Sequence, residues 1–219
     1  MNENNILNIL NGQFMHDYFK LNHFDENGIY VPFNEAMCVG EAAADIFSVK
    51  FNNLRSEAHQ ITIDKYNQIT LKPLQMLFEN QFSHIFLWFD DDMFCQINLL
   101  TILAYLDQNN YNSKITFNLI NREFILIDSF EFTVQGYYEI YKQVLINRRM
   151  PEGINLSVMR KSIKLYLEYL KEDNEIISYI NQHEDLQSNA LLLELLKRFT
   201  QYGLGDTQYI QLIEICRKV

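Results

Sequence analysis

The stretch Phe86–Leu100, FLWFDDDMFCQINLL, decides the fold. With Ile85 it opens as an apolar and aromatic run, which reads as a buried strand. Three carboxylates follow at once, Asp90, Asp91 and Asp92. Then apolar residues recur at helical spacing, Ile97, Leu100 and Leu103 or Ala104. Strand, acidic turn, helix is the unit of an open parallel sheet. In such sheets ligands sit outside the carboxyl ends of the strands.

Working outward, Ile6–Leu10 predicts a first strand, closed by Asn11-Gly12. Phe14 to Leu21 predicts a short helix with Phe14, Tyr18 and Leu21 on one side. Asn27-Gly28 is a turn signal. Ile29–Phe33 predicts a second strand, at an edge or ending at Pro32, because proline cannot serve a central ladder. Ala42 to about Ala58 reads as a helix, with Ile46, Val49 and Leu54 inward. A further helix from Thr62 toward Phe78 meets a break at Pro73. Ile115–Ile120 predicts another strand and Phe124–Phe132 a further one; Tyr137–Asn147 reads as helix. Beyond Pro151 every segment is helical. Asp173-Asn174 is placed to cap one helix and Asp206 the last. The expected architecture is α/β: a small, mostly parallel sheet with flanking helices, Rossmann-like or flavodoxin-like, over residues 1–150. An all-helical part, 151–219, follows.

Composition narrows the classes. The 219 residues are 48% hydrophobic, with seven Gly and three Pro, enough for a core without staples. The net charge of −10 argues against nucleic acid, since phosphate backbones repel an acidic chain. The paired cations Arg148-Arg149, Arg160-Lys161, Lys197-Arg198 and Arg217-Lys218 read as solvated helix ends. Three scattered cysteines make neither a disulfide framework nor a zinc site. MNENNILNIL lacks a basic region followed by a long apolar core, and no run is long enough for a membrane span. A reducing, cytoplasmic setting is therefore expected.

The strand exits would bring Asn11, Gly12, Glu35, Cys38, Gly40, Asp90, Asp92, Cys95 and Gln96 to one rim. Hard cations seek carboxylate oxygens, so Asp90 and Asp92 are candidate ligands of a divalent cation. Helix capping is the competing reading. Glu35 is a candidate general base. Cys38 and Cys95 lack a histidine placed by any motif, which weighs against a thiol nucleophile. The phosphate-loop patterns GxGxxG and GxxxxGK[ST] are absent. The last two helices, joined by QYGLGD, have helix-turn-helix proportions, with Thr207, Gln208 and Gln211 in the base-facing places. A helical hairpin capping the α/β part fits the acidic balance better.

The NG after the first strand, E-x(2)-C-x-G at 35–40, the Arg of the following helix, and LWF-x(2)-D-x-F-x-Q-x-NLL at 87–100 form one pattern. It resembles the bacterial proteins built on the domain of unknown function 1835. Their second, helical part ends in a GL-containing turn like Gly203-Leu204. The resemblance implies a role for Asn11, Gly12, Glu35, Gly40, Arg55, Trp88, Asp92 and Gln96, and no particular activity. The chain departs from it at Gln13-Phe14, at Glu41 and at Cys95. Two readings follow. In the first, a small polar or phosphorylated ligand is bound or processed at the rim. Arg55 pairs with its anion, Glu35 and Asp92 are the catalytic carboxylates, and Asn11, Gly12, Gly40 and Gln96 position it. In the second, the chain is a non-enzymatic interaction or regulatory protein that docks through its helical part. Homo-oligomerisation is open in both.

Overall fold

The computed structural model describes residues 5–22 and 28–217. The first four residues of MNENNILNIL, Asn27 of the expected turn and Lys218 lie outside that set. Five strands form one sheet in the order β2-β1-β3-β4-β5. They are β1 (Ile6–Leu10), β2 (Gly28–Pro32), β3 (His84–Phe89), β4 (Lys114–Ile120) and β5 (Leu126–Phe132). The first four run parallel and β5 is antiparallel to β4. This is the α/β architecture expected, with Pro32 ending an edge strand.

Alternation sets the layers. Leu7, Ile9, Ile85, Leu87, Phe89, Ile115 and Phe117 point to one face, buried under the main core. The opposite face carries α1 (Gln13–Asn22), whose Met15 and Phe19 meet Leu10 and Ile120. The inner side of α1 is therefore Met15 and Phe19. Phe14 and Leu21, on the apolar side read from the sequence, are exposed.

On the main face lie α2 (Val49–Ala58), α3 (Ile63–Tyr66), α4 (Gln75–Glu79) and α5 (Met93–Gln108). The expected helix from Ala42 begins only at Val49. Ser48 caps it, accepting from Phe51 N, and Phe47 before it takes φ +61°. Residues 41–48 turn instead, because their carbonyls are claimed elsewhere: Glu41 O by Arg55 and Ala43 O by Tyr141. Inward places go to Phe51 and Arg55, while Val49 is exposed. The Thr62–Phe78 segment breaks as expected near Pro73, after a wide turn at Asn67–Leu71.

Helix α5 is buried nearly all round, since the sheet lies beneath it and later helices above. Those are α6 (Tyr137–Tyr141) and α7 (Ser157–Tyr169), then α8 (Glu175–Gln182), α9 (Ser188–Arg198) and α10 (Asp206–Arg217). Asn174 caps α8 as expected, accepting from Ile176 N and Ile177 N. Met159, Ile163, Leu195, Tyr209 and Ile213 join the same apolar cluster as the sheet, so the helical part shares the α/β core. Among the described residues no helix is long and apolar enough to cross a membrane.

The chain leaves β1 toward β2 and β3 toward β4, in opposite directions along the sheet. Asn11-Gly12 and Asp90–Asp92 stand at that divergence, where doubly wound sheets form their crevice.

Candidate functional site

After β2 the chain turns back across the rim. Phe33 N bonds Leu10 O at 2.8 Å, and Glu35 is folded beneath the 34–41 loop. Glu35 Oε1 accepts from Ala36 N (2.8 Å), Arg55 Nη2 (2.9 Å) and His59 Nε2 (2.5 Å). Its Oε2 accepts from Tyr66 Oη at 2.7 Å. A buried carboxylate without such partners would take up a proton. Burial does push Glu35 upward, but the Arg55 guanidinium and His59 outweigh it and hold the group at about 2.

Arg55 is fully buried. Nη1 donates to Val39 O (2.6 Å) and Glu41 O (3.0 Å), and Nη2 also to Ala36 O (2.9 Å). A ligand's anion is its expected partner; instead its Nη donors are spent on Glu35 and the loop, which they mould, while Nε is buried with no hydrogen-bond partner among the described residues. Gly40 is what lets the loop lie so close. It has φ +73°, and a Cβ there would sit 2.4 Å from Ala58 Cβ. Its part is therefore structural, behind the rim.

His59 is the C-cap of α2 and its side chain is 26% exposed. Its ring reaches a cleft of about 570 Å³, also lined by Gln13, Asn34, Gln68, Ile69 and Pro73. Glu35 is an acceptor only, so it fixes Nε2 as the protonated nitrogen and leaves Nδ1 to act. That is the logic of a general base oriented by a third group. The buried Glu35 is thus the positioning group, and the imidazole is the one a ligand can touch. No spacing in the sequence singles out His59.

A second polar chain links this corner to the acidic turn. Asn98 Nδ2 donates to Glu35 O (2.7 Å) and Asn11 Oδ1 (2.9 Å), and its Oδ1 accepts from Met37 N (2.9 Å). Asn11 Nδ2 reaches Cys95 Sγ at 2.8 Å, and Cys95 N donates to Asp92 Oδ1 at 2.7 Å. Asn11, Glu35 and Asp92 do share one rim, but as a bonded lattice in which Glu35 is buried and Asn11 and Asp92 are half-buried. Burial pushes the Cys38 thiol up to about 12 and Cys95 well above its usual value, so neither is a ready nucleophile. Gly12 gives its N–H to Leu10 O, closing the turn into α1.

Asp92 is the N-cap of α5. Its carboxyl is raised by burial and lies against Gly203 of the last turn. Beside it, Asp91, Arg122, Lys161, Ser162 and Gln201 line a cleft of about 210 Å³ under the helical part. Gln96 is sealed below, its Nε2 on Asp90 O at 2.7 Å and its Oε1 without a partner. Among the described residues no group of three or more His, Cys, Asp or Glu could hold a metal, so Asp90 and Asp92 gain no third ligand from the chain.

Asp90 makes a test of this corner. Burial, then the bond with Asp91 and the charge of Asp92, raise it to about 7. A carboxyl raised in the folded state contributes stability below its unfolded value, near 3.8, and loses it as pH rises through about 7. Asp90→Asn is therefore expected to melt above wild type at alkaline pH, with the gap narrowing as pH falls toward about 4. Parallel melting curves across that range would rule the strain out.

No protein-family model, no curated protein and no solved structure matches this chain.

Proposed function

We propose that this chain binds a small polar ligand in the cleft over the ends of β1 and β2, with His59 as its proton-transferring group. The observation that carries the reading is the 2.5 Å bond from a partly exposed imidazole to a fully buried carboxylate at the mouth of a 570 Å³ cleft. Such a carboxylate–imidazole pair is a costly thing to assemble for structure alone, since Arg55 and Tyr66 already satisfy Glu35. Among the described residues the polar lining of the cleft is three amides, the His59 imidazole and the Glu35 carboxylate, with no Lys or Arg, which favours an uncharged polar ligand over a phosphorylated one. Asn34 and Gln13 would fix its orientation. The family resemblance belongs to the same proposal and adds no activity to it.

A thermal-shift screen against sugars, nucleosides, amides and sugar phosphates tests this. A ligand at a hundred times its dissociation constant stabilises by about 2.7 kcal/mol. In a chain of this size that is a rise of about 5–10 °C. The rise is expected for wild type and to be lost in His59→Gln. A hit that shifts both proteins equally would remove the cleft from consideration.

A further inference from the structure

Helix α1 is apolar on two sides. Met15 and Phe19 face the sheet, while Phe14 and Leu21, seven residues apart on another stripe, are 79% and 84% exposed. That outer stripe continues onto the β4–β5 turn. The Phe14 and Tyr18 rings lie 5.8 and 4.8 Å from Phe124. Ile125, Leu126 and Ile127 follow, 59%, 51% and 60% exposed. Between helix and turn runs a groove of about 460 Å³, floored by Phe19, Tyr30 and Trp88.

The turn leads into a sheet edge. Among the described residues strand β5 pairs with β4 alone, as the edge of the sheet, which leaves its outer row of N–H and C=O groups without a strand partner. Open edges are normally blunted by lysine, proline or a bulge. The strand, LIDSFEF, has neither lysine nor proline; a bulge at Ile127, skipped between Leu119↔Asp128 and Ile120↔Leu126, kinks only its start, and Asp128–Phe132 pairs regularly. Its Glu131 is already tied to Lys114, at 2.5 Å.

We propose that this face is a homodimer interface, with β5 of one chain pairing antiparallel to β5 of a second copy and the α1 stripes closing beside the joint. A two-fold axis turns the same strand onto itself in the antiparallel sense, so the contact is self-complementary and closed. Area favours a second copy. The five exposed apolar side chains present roughly 600 Å² per chain, at the upper end of what monomers leave open. With the edge backbone this approaches the ~800 Å² per partner of a stable interface. The contact does not involve the His59 cleft and stands apart from the ligand reading.

Sedimentation velocity on the full chain, over a wide dilution range, tests it. The expected species is twice the 26.1 kDa chain mass. Ile127→Lys and Phe14→Glu should each weaken dimerisation about tenfold or more, with unchanged circular dichroism. Both sites are exposed, so folding is not at stake. Hydrogen exchange supplies the independent readout: β5 amides should be protected when concentrated and lose protection on dilution. A monomer at every concentration overturns the proposal. So does a dimer indifferent to both substitutions, or β5 exchange that ignores dilution.

Discussion

Arg55→Met is expected to destabilise the protein by about 3–5 kcal/mol, the usual cost of removing one partner of a buried ion pair. For a chain of this length that is a fall in Tm of about 10 °C. The methionine fills most of the space but donates nothing. Glu35 loses its strongest counter-charge, and Ala36, Val39 and Glu41 lose the donor that holds their carbonyls. The pH dependence should change in a defined sense. In wild type the Glu35 carboxyl lies at about 2 in the fold against 4.5 as a free side chain. A depressed carboxyl contributes stability that is complete above about 4.5 and lost as pH falls toward about 2. In Arg55→Met burial acts on Glu35 against the bonds from His59, Tyr66 and Ala36 N without the guanidinium charge, so this acid loss should shrink. Adding Glu35→Gln to Arg55→Met should recover part of the stability, because no charge is then left buried. Urea titrations of the three proteins, at neutral pH and near pH 4, give all three quantities. A cost below about 1 kcal/mol for Arg55→Met would mean that the guanidinium does not organise the loop.

The same residues show where the sequence stops being legible. Strands β1, β3 and β4 could be read because buried parallel strands are short apolar runs, and α5 because its apolar period is long. The inner side of α1 could not. It carries apolar residues on two stripes, and the sheet, with Leu10 and Ile120 above the plane, chooses between them. The start of α2 was missed because alanine favours helix locally, while Arg55 and Tyr141 claim the carbonyls just before it. At the rim the strand exits named Asn11, Glu35, Asp92 and Gln96 correctly by place. Their roles depend on burial, which spacing does not encode. Arg55 turns inward rather than out, and Glu35 meets His59 from 24 positions away. One missed residue did leave a trace: Asn98 is an amide between Ile97 and Leu99 on a buried helix, and buried amides must find partners.

Gly203→Ala should cost about 3 kcal/mol, although the residue lies more than a hundred positions from the acidic turn it supports. Gly203 ends the short Thr200–Tyr202 turn with φ +64°, a conformation that costs an L-residue about 1–2 kcal/mol. The larger difficulty is space. An alanine Cβ would lie 2.2 Å from Asp92 Cγ and 2.3 Å from both carboxyl oxygens. These belong to a short, half-buried side chain that caps α5 through Cys95 N, with little freedom to retreat. Either the last turn lifts from the rim or Asp92 abandons its cap, which costs about 1 kcal/mol. A double-mutant cycle separates the two contributions. Glycine is a tolerated N-cap and has no side chain, so Asp92→Gly should relieve the collision and leave the backbone strain. The pair is then expected to couple by about 1 kcal/mol, with Gly203→Ala milder in the Asp92→Gly background. Strict additivity would mean that the turn does not press on the carboxylate. A measured coupling would locate the hold of the helical part on the sheet at Asp92, the residue where β3 ends and α5 begins, and so explain why this turn keeps a glycine.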